Sequence, residues 1–320
     1  MVTHEFSNLE DVFKDVLKQL STEDPAYDEA IERAQRYAKS LKNDREFGVV
    51  ATRIGGSIGK GTAIAGQSDV DLYIYLDRVV WRTRRGEDLL PSTVIGRLRA
   101  RVEQRLHFEL NNGYARIRMQ KHSVGIKFKK RNSVGIDIVP ALVDGDDIEE
   151  ALIPRRQTDT FVATSVERQL RLINAMDSPF RYLRRGIRLL KFWARQSDVG
   201  LHSYAVEVLG MHAVYRGCKR TPMGVFLSTL DFIAETNMRE PVYIEHFFRF
   251  SPPSRRACVI FDPAIPDNNL GAEMDARDGD RLGAAARRAL SKLRKAASFA
   301  ERGKSEIAAE CFKEAFGLPG

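Results

Sequence analysis

The chain has 320 residues, of which 43% are hydrophobic and 29% are charged. This length can bury one two-lobed core or two abutting domains. No apolar run approaches the roughly 18 residues that span a bilayer, and the N-terminus lacks a signal-peptide pattern, which predicts a cytoplasmic protein with no membrane partner. The net charge of +8 favours triphosphates or nucleic acid as ligands, without deciding between them.

The first predicted elements are two amphipathic helices. Apolar residues recur at three- and four-residue steps in the first of them, at Leu9, Val12, Phe13, Val16, Leu17 and Leu20. Pro25 begins the second helix, because proline is favoured at the first helical position. Its apolar face comprises Ile31, Ala34, Tyr37, Ala38 and Leu41.

A glycine-rich segment, Gly55 to Gly66, is followed by Ser68-Asp69-Val70-Asp71 and an apolar run that ends at Leu76. The run predicts a strand, in which Asp69 and Asp71 share one face because side chains alternate with a period of two. Carboxylates are ligands for Mg²⁺, and the N–H groups of a glycine-rich loop can hold phosphate oxygens. A D-x-D pair alone is common on ordinary surfaces, but the loop in front of it favours a metal-dependent phosphoryl-transfer site.

A third acid lies in a predicted β-hairpin. Two alternating runs, 122–129 and 134–140, flank the turn-like segment Lys130-Arg131-Asn132-Ser133. Asp137 is the only acid in these runs and is bracketed by isoleucines. Taken alone, Asp137 fits a solvent-facing strand position as well as a metal ligand.

The order Gly-Ser, Gly-x-Gly-Thr and Ser-Asp-x-Asp, carried here by residues 56–71, resembles the active-site signature of the DNA polymerase β-like nucleotidyltransferases. That resemblance implies a third metal-binding carboxylate on a neighbouring strand, for which Asp137 is the candidate. It also implies that Asp69, Asp71 and Asp137 are catalytic and hold two Mg²⁺ ions, or Mn²⁺ in their place, for nucleotidyl transfer from an NTP.

The second half begins with a predicted helix. Ser178-Pro179 is a typical helix start, with Asp177 or Ser178 as the cap. The buried stripe of this helix is predicted to comprise Phe180, Leu183, Ile187, Leu190 and Ala194. Basic residues recur on another face, at Arg184, Arg188, Lys191 and Arg195. Such a basic row alone is more often a solvated face than a binding site.

The segment 183–193, followed by His202-Ser203-Tyr204, resembles the C-terminal lobe of the 2′-5′-oligoadenylate synthases and of their bacterial relatives, the cGAS/DncV-like nucleotidyltransferases (CD-NTases). The resemblance implies that Arg188, Lys191 and Ser203 bind the triphosphate and that Tyr204 stacks on the nucleobase. The nucleotide-binding residues implied in the glycine-rich loop are Gly56, Ser57, Lys60 and Thr62. A further similar segment, from Asp262 to Asn269, is predicted to be a rigid turn.

The expected fold class is α+β. A catalytic nucleotidyltransferase lobe with a mixed sheet is expected at residues 1–146 and a helical lobe, similar to that of oligoadenylate synthases, at residues 147–320. The second helix is expected to be a long N-terminal spine helix that joins the lobes.

The functional hypothesis is an enzyme that joins NTPs, ATP among them, into a nucleotide second messenger. The resemblance to bacterial relatives favours a cyclic di- or trinucleotide that switches on a downstream effector in anti-phage signalling. The alternatives are a linear 2′-5′-oligoadenylate synthase, an RNA-tailing enzyme, and a catalytically silent sensor of RNA or nucleotide. The oligoadenylate synthase would be either constitutive or activated by double-stranded RNA or another activator on its basic surface. Base choice, linkage and conjugation of Gly320 stay open.

Overall fold

A computed structural model describes residues 10–22, 25–66, 68–130, 133–177, 181–198, 200–244 and 258–316, without the side chains of residues 10–12, 15 and 19. Some residues that carried sequence predictions lie outside this description: Leu9, the Val12 side chain, Arg131-Asn132, Ser178-Pro179-Phe180 and Gly320. The chain divides into a sheet unit, Thr22–Arg171, and a helical unit made of Met1–Ser21 and Leu172–Gly320. Among the helices in the described ranges, none has the length and apolar character needed to cross a membrane.

The sheet unit is built on strands in the order β1-β2-β5-β4-β3, and β6 and β7 extend it from β5. The strands are β1 Val49–Ile54, β2 Val70–Asp77, β3 Ala115–Met119, β4 Val124–Phe128, β5 Ile136–Val143, β6 Ala151–Arg155 and β7 Thr160–Thr164. Strands β2 and β5 are parallel, whereas β4 and β5 are antiparallel, as predicted for a hairpin. The sheet is therefore mixed, and the predicted α+β class is confirmed.

One face of the sheet is covered by helices. The helices that begin in this unit are α2 Pro25–Lys42, α3 Gly56–Lys60, α4 Pro91–Arg105, α5 His107–Asn111 and α6 Val166–Asp177. Val70, Leu72, Ile74 and Leu76 of β2 are all 0% exposed, in one cluster with Ala34, Ala38 and Leu41 of α2 and with Val94 and Leu98 of α4. The predicted core faces of β2 and of the second helix are thus confirmed, and the opposite face of β2 is left to carry the acids.

The helical unit contains α1 Glu10–Gln19, α7 Tyr182–Gln196, α8 Ser203–Tyr215, α9 Pro222–Thr236, α10 Ala276–Glu301 and α11 Ser305–Ala315. The Phe13 ring of α1 lies 4.8 Å from that of Phe312, and Phe226 stacks on Phe316 at 5.1 Å. Because of this aromatic packing, the first helix belongs with the C-terminal helices and not with the sheet. The Asp177 carboxylate accepts the Leu183 N–H at 2.7 Å, which satisfies a free donor at the start of α7.

The two units divide the chain at different residues from those that we expected. The sequence predicted a boundary near residue 146, but Leu142 of β5 pairs with Leu152 of β6, and β6 pairs with β7 along its length. Residues 151–164 are therefore part of the sheet, and the division falls within α6, at Arg171.

Candidate active site

The three predicted carboxylates lie together at the start of two parallel strands. Asp71 of β2 is the register partner of Asp137 of β5, so both side chains leave the same face of the sheet. Asp69 lies just before β2, where its Oδ1 accepts the Gly135 N–H at 3.1 Å. Pairing of the adjacent Val70 N–H with the Gly135 carbonyl at 2.9 Å fixes this arrangement.

One row of register partners crosses four strands at this point. From β3 to β2, the row consists of Arg118, Gly125, Asp137 and Asp71. Gln120, in the turn between β3 and β4, donates its Nε2–H to Asp137 Oδ1 at 2.8 Å. Since β4 contributes only a glycine here, the Asp137 carboxylate is reached from that side by the amide of Gln120.

Each of the three carboxylates lies against a glycine. A Cβ added to Gly56 would lie 1.7 Å from Asp71 Oδ2, and one added to Gly125 or Gly135 would lie 2.9 Å from Asp137 Oδ1 or 2.8 Å from Asp69 Oδ1. Contacts this short cannot be kept without displacing the acid or the backbone. The glycines therefore make room for the three acids.

We expect the substitution Gly56→Ala to lower the rate of the expected nucleotidyl transfer by at least about 100-fold. Displacing a reacting group by about 1 Å can lower a rate by that factor. Besides the contact with Asp71, Gly56 has a φ of +57°, which alanine tolerates poorly. The matched control is Gly66→Ala, because Gly66 has a φ of +68° but nothing within 4 Å of an added Cβ. Rates normalised to the folded fraction should separate the two variants; equal losses would show that backbone strain alone is responsible.

Asp137 has an unusual protonation equilibrium. Burial, and next the negative charge of Asp69, raise its pKa to about 6, against the opposing effects of Lys127 and of the hydrogen bond from Gln120. Without a cation, the folded protein therefore holds this carboxyl protonated at a pH where an unfolded aspartate, with a pKa near 3.9, is ionised.

This shift predicts a pH dependence of stability for the metal-free protein. Because the pKa is raised on folding, the contribution of Asp137 is fully present below about pH 4 and is lost as pH rises through about 6. The unfolding free energy of the wild type should thus fall relative to that of Asp137→Asn between pH 4 and 6, by about 2–3 kcal/mol. Urea titrations in EDTA would measure this difference; a difference that does not change with pH would contradict the shift.

The three acidic side chains are of the chemical type that binds a hard divalent cation. Asp69, Asp71 and Asp137 offer carboxylate oxygens, the ligands that Mg²⁺ takes, and a cationic group already lies at Asp69, where Lys127 Nζ is 2.6 Å from Oδ1. As the side chains lie, no group of three or more His, Cys, Asp or Glu within the described ranges could hold a metal ion. Displacement of the Lys127 ammonium would open Asp69 to a cation.

The glycine-rich loop forms the short helix α3 and the turn after it, and only part of it is placed to meet a ligand. Gly56 and Ser57 are half-buried, whereas Thr62 is 0% exposed and Lys60 only 6%. Lys60 Nζ donates to Gln169 Oε1 at 3.2 Å. The structure therefore places the Lys60 and Thr62 side chains inside the sheet unit, with little or no surface open to solvent.

The other predicted nucleotide-binding residues lie in the helical unit. Arg188, half-buried, and Lys191 are on α7; Ser203 is exposed as the first residue of α8, and the half-buried Tyr204 follows it. Lys191 Nζ forms a buried ion pair with Glu207 Oε1 at 2.6 Å. The four residues thus lie on two helices of one unit, apart in sequence from the three acids.

The Tyr204 hydroxyl donates to Asp262 Oδ1 at 2.9 Å. Asp262 is 3% exposed and also accepts the Ala264 N–H at 2.8 Å, and burial raises its pKa. The segment predicted to be a rigid turn therefore also anchors Tyr204.

Sequence reasoning did not predict the contacts that five residues make with the candidate side chains: Gln120, Lys127, Gln169, Glu207 and Asp262. A signal existed for Lys127, because the alternation of β4 places it on the same face as Gly125, the partner of Asp137. Glu207 follows Lys191 by 16 residues on the next helix, and no local pattern joins residues that far apart.

A mixed sheet that carries three acids at the start of two adjacent parallel strands, with a glycine-rich turn and short helix before the first of them, defines a DNA polymerase β-like nucleotidyltransferase fold. The chain belongs to the Second Messenger Oligonucleotide or Dinucleotide Synthetase (SMODS) family, whose model matches residues 8–175. It is thus an enzyme of the CD-NTase class of nucleotidyltransferases, and the predicted family is confirmed.

Two kinds of relative agree with this assignment. The chain is 23% identical over 256 residues to the cyclic AMP-AMP-AMP synthase of Escherichia coli (strain MS 115-1), covering 76% of this chain and 77% of the relative. The CdnC of E. coli MS115-1, solved in complex with HORMA-deltaN, has a TM-score of 0.76 at 19% identity, covering 99% and 100% of the two chains. The CD-NTase CdnG of Bradyrhizobium diazoefficiens, solved with GTP, has a TM-score of 0.65 at 12% identity, covering 96% and 98%. These structural likenesses concern the fold.

Proposed function

We propose that this enzyme joins nucleoside triphosphates, ATP among them, into a cyclic di- or trinucleotide second messenger and releases pyrophosphate. The observation that carries the proposal is the parallel register of Asp71 with Asp137, with Asp69 two residues before Asp71, in a chain of the SMODS family. Each bond joins a hydroxyl oxygen of one nucleotide to the α-phosphorus of another, breaks the bond to the β-phosphate oxygen and frees the proton of the hydroxyl.

Asp69, Asp71 and Asp137 would hold Mg²⁺, with Mn²⁺ as a substitute. Bound there, the metal would lower the pKa of the attacking hydroxyl and neutralise the charge on the triphosphate. Gln120 holds Asp137 Oδ1 by a 2.8 Å hydrogen bond and so limits the positions that this carboxylate can take. The contacts of the acids with Gly56, Gly125 and Gly135 support the same conclusion, because precise placement of charged groups is what phosphoryl transfer requires of a protein.

In the helical unit, Ser203 and Arg188 are the better-placed candidates for the triphosphate. Ser203 is exposed at the first position of the 13-residue helix α8, where the positive end of the helix dipole favours a phosphate. Arg188 can offer a bidentate fork. Lys191 remains a candidate, although its ion pair with Glu207 would have to open or rearrange for a direct contact.

Tyr204 is proposed to stack on a nucleobase. Its ring is half-buried and its hydroxyl is held by the buried Asp262 at 2.9 Å. A ring fixed in this way loses little conformational freedom when a base stacks on it. This supports base stacking without selecting a base.

Two observations favour a cyclic over a linear product. The relative that is 23% identical carries the name cyclic AMP-AMP-AMP synthase. In addition, Ser203-Tyr204 resembles the Ser-Tyr pair of the cyclising members of the wider family. We extend the proposal to anti-phage signalling, in which the product activates an effector. Activation by double-stranded RNA is the feature that would instead favour a linear 2′-5′-oligoadenylate synthase.

The test is to incubate the pure protein with all four NTPs and Mg²⁺, with and without double-stranded RNA. One portion of the products is treated with phosphatase alone, and a second portion with phosphatase and a 3′-5′-specific nuclease, before mass spectrometry. Phosphatase-resistant masses equal to two or three dehydrated nucleoside monophosphates, formed without RNA, would support the proposal and identify the bases. Linear, nuclease-resistant oligoadenylates formed only with RNA would replace it with the alternative, and extension of an added RNA would indicate a tailing enzyme.

A further inference from the structure

Lys127 reaches across a neighbouring strand to the first carboxylate of the active site. It lies near the end of β4, yet its Nζ lies 2.6 Å from Oδ1 of Asp69, which precedes β2, and also contacts Oδ2. Strand β5 runs between β4 and β2 in the sheet. The ammonium therefore covers both oxygens of an acid that is two strands away.

Gly135 opens the way for this contact. A Cβ at Gly135 would lie 2.9 Å from both Cδ and Nζ of Lys127 and 2.8 Å from Asp69 Oδ1. The side chain of any other residue at this position would therefore clash with both Lys127 and Asp69. The contact depends on the missing side chain at Gly135, just before β5, and is not a chance meeting of two surface side chains.

The contact is also readily reversible. The Lys127 side chain is 56% exposed and that of Asp69 is 29% exposed, so solvent can take over both charges at small cost. The cross-strand partner of Lys127 on β3 is Arg116, and two like charges directly opposite repel each other. Arg116 therefore disfavours the alternative position of the Lys127 ammonium, in which it would lie over β3 and β4 instead of at Asp69.

We propose that Lys127 is a displaceable counter-ion of Asp69, which competes with the divalent cation for this carboxylate. The protein without nucleotide then binds metal weakly, and a metal that arrives with a triphosphate displaces the ammonium. This inference rests on the proposed function, since it assumes that Asp69 is a metal ligand. The role of Lys127 would be to weaken metal binding by the three acids until the nucleotide substrate is present.

The test is a titration of the full chain with Mn²⁺ in the absence of nucleotide. The concentration of free Mn²⁺ is monitored by electron paramagnetic resonance. Lys127→Gln removes the competing charge and keeps a polar side chain, so it should bind Mn²⁺ about three- to tenfold more tightly than the wild type. Lys127→Arg keeps the charge, and Lys129→Gln removes a charge from the same segment without a contact to Asp69; both should match the wild type. Unchanged or weaker binding by Lys127→Gln, or equal tightening by Lys129→Gln, would overturn the counter-ion role.

A second titration separates this inference from the proposed function. The wild type is titrated with Mn²⁺ in the presence of a non-hydrolysable ATP analogue, beside a variant that lacks both Asp69 and Asp71 carboxylates. Metal bound by the wild type and not by the double variant supports the metal site, whatever Lys127 does. If the two proteins bind Mn²⁺ equally, the proposed metal site fails and the counter-ion role fails with it.

Discussion

Replacing Asp69 and Asp71 together with asparagine is expected to abolish nucleotidyl transfer, with a loss of at least about 10³-fold in rate. Asparagine keeps the volume of each side chain but removes two negative charges next to Asp137. The folded protein should not lose stability, because the negative charge of Asp69 disfavours the ionised form of Asp137 and this repulsion is relieved. Product formation is measured by mass spectrometry and stability by thermal melting.

The matched control is Asp77→Asn, at the other end of the same strand. Asp77 lies on the same face of β2 as Asp71, and its Oδ1 accepts the Val79 N–H at 2.9 Å, an acceptor that asparagine retains. This variant should keep wild-type activity. More than about a tenth of wild-type activity in the double variant, or an equal loss in the control, would argue against metal ligation by the two acids.

The second large effect concerns the buried ion pair of the helical unit. The side chains of Lys191 and Glu207 are 8% and 2% exposed, with Nζ and Oε1 at 2.6 Å. Glu207→Ala would leave the lysine ammonium buried without that carboxylate, which typically costs about 3–5 kcal/mol. We therefore expect a large fall in the unfolding free energy. Unfolding is monitored by the near-ultraviolet signal of Trp193, which is buried in the same unit.

A double variant and an exposed pair provide the controls. Lys191→Met with Glu207→Leu replaces both charges by apolar groups of similar size and should recover most of the loss, since such replacements are often close to neutral. Glu103→Ala removes the partner of Arg99 from a pair whose side chains are 39% and 44% exposed, and it should cost less than about 1 kcal/mol. If Glu207→Ala costs no more than Glu103→Ala, the pair does not have the structural role that its burial indicates.

The acids of the candidate site were predictable because their signals are local. The alternation of the apolar run that ends at Leu76 was enough to predict Asp69 and Asp71 on one face, and the two runs around Lys130 were enough to predict a hairpin with Asp137 in it. The parallel pairing of β2 with β5 joins segments more than 60 residues apart, and only the family resemblance pointed to it. Period-two and turn signals describe single elements and not their partners.

Local patterns did not predict the contacts that the basic residues make. Lys60 was a candidate phosphate ligand because it lies in a glycine-rich loop, yet it is buried and bonded to Gln169, 109 residues away. The basic row of α7 did not distinguish Lys191, which faces Glu207, from Arg195, which is exposed. The sequence shows which side chains are charged, but tertiary packing determines which residue of opposite charge each of them contacts.

The most direct test of the central claim, that Asp69, Asp71 and Asp137 form the metal site of nucleotidyl transfer, is a crystal structure with Mn²⁺ and a non-hydrolysable ATP analogue. Anomalous scattering would locate the ions independently of the protein coordinates. We predict Mn²⁺ within about 2.0–2.6 Å of oxygens of all three carboxylates, with the Lys127 ammonium displaced from Asp69. Bound analogue with no anomalous peak at these acids, or with the metal held elsewhere, would contradict the claim.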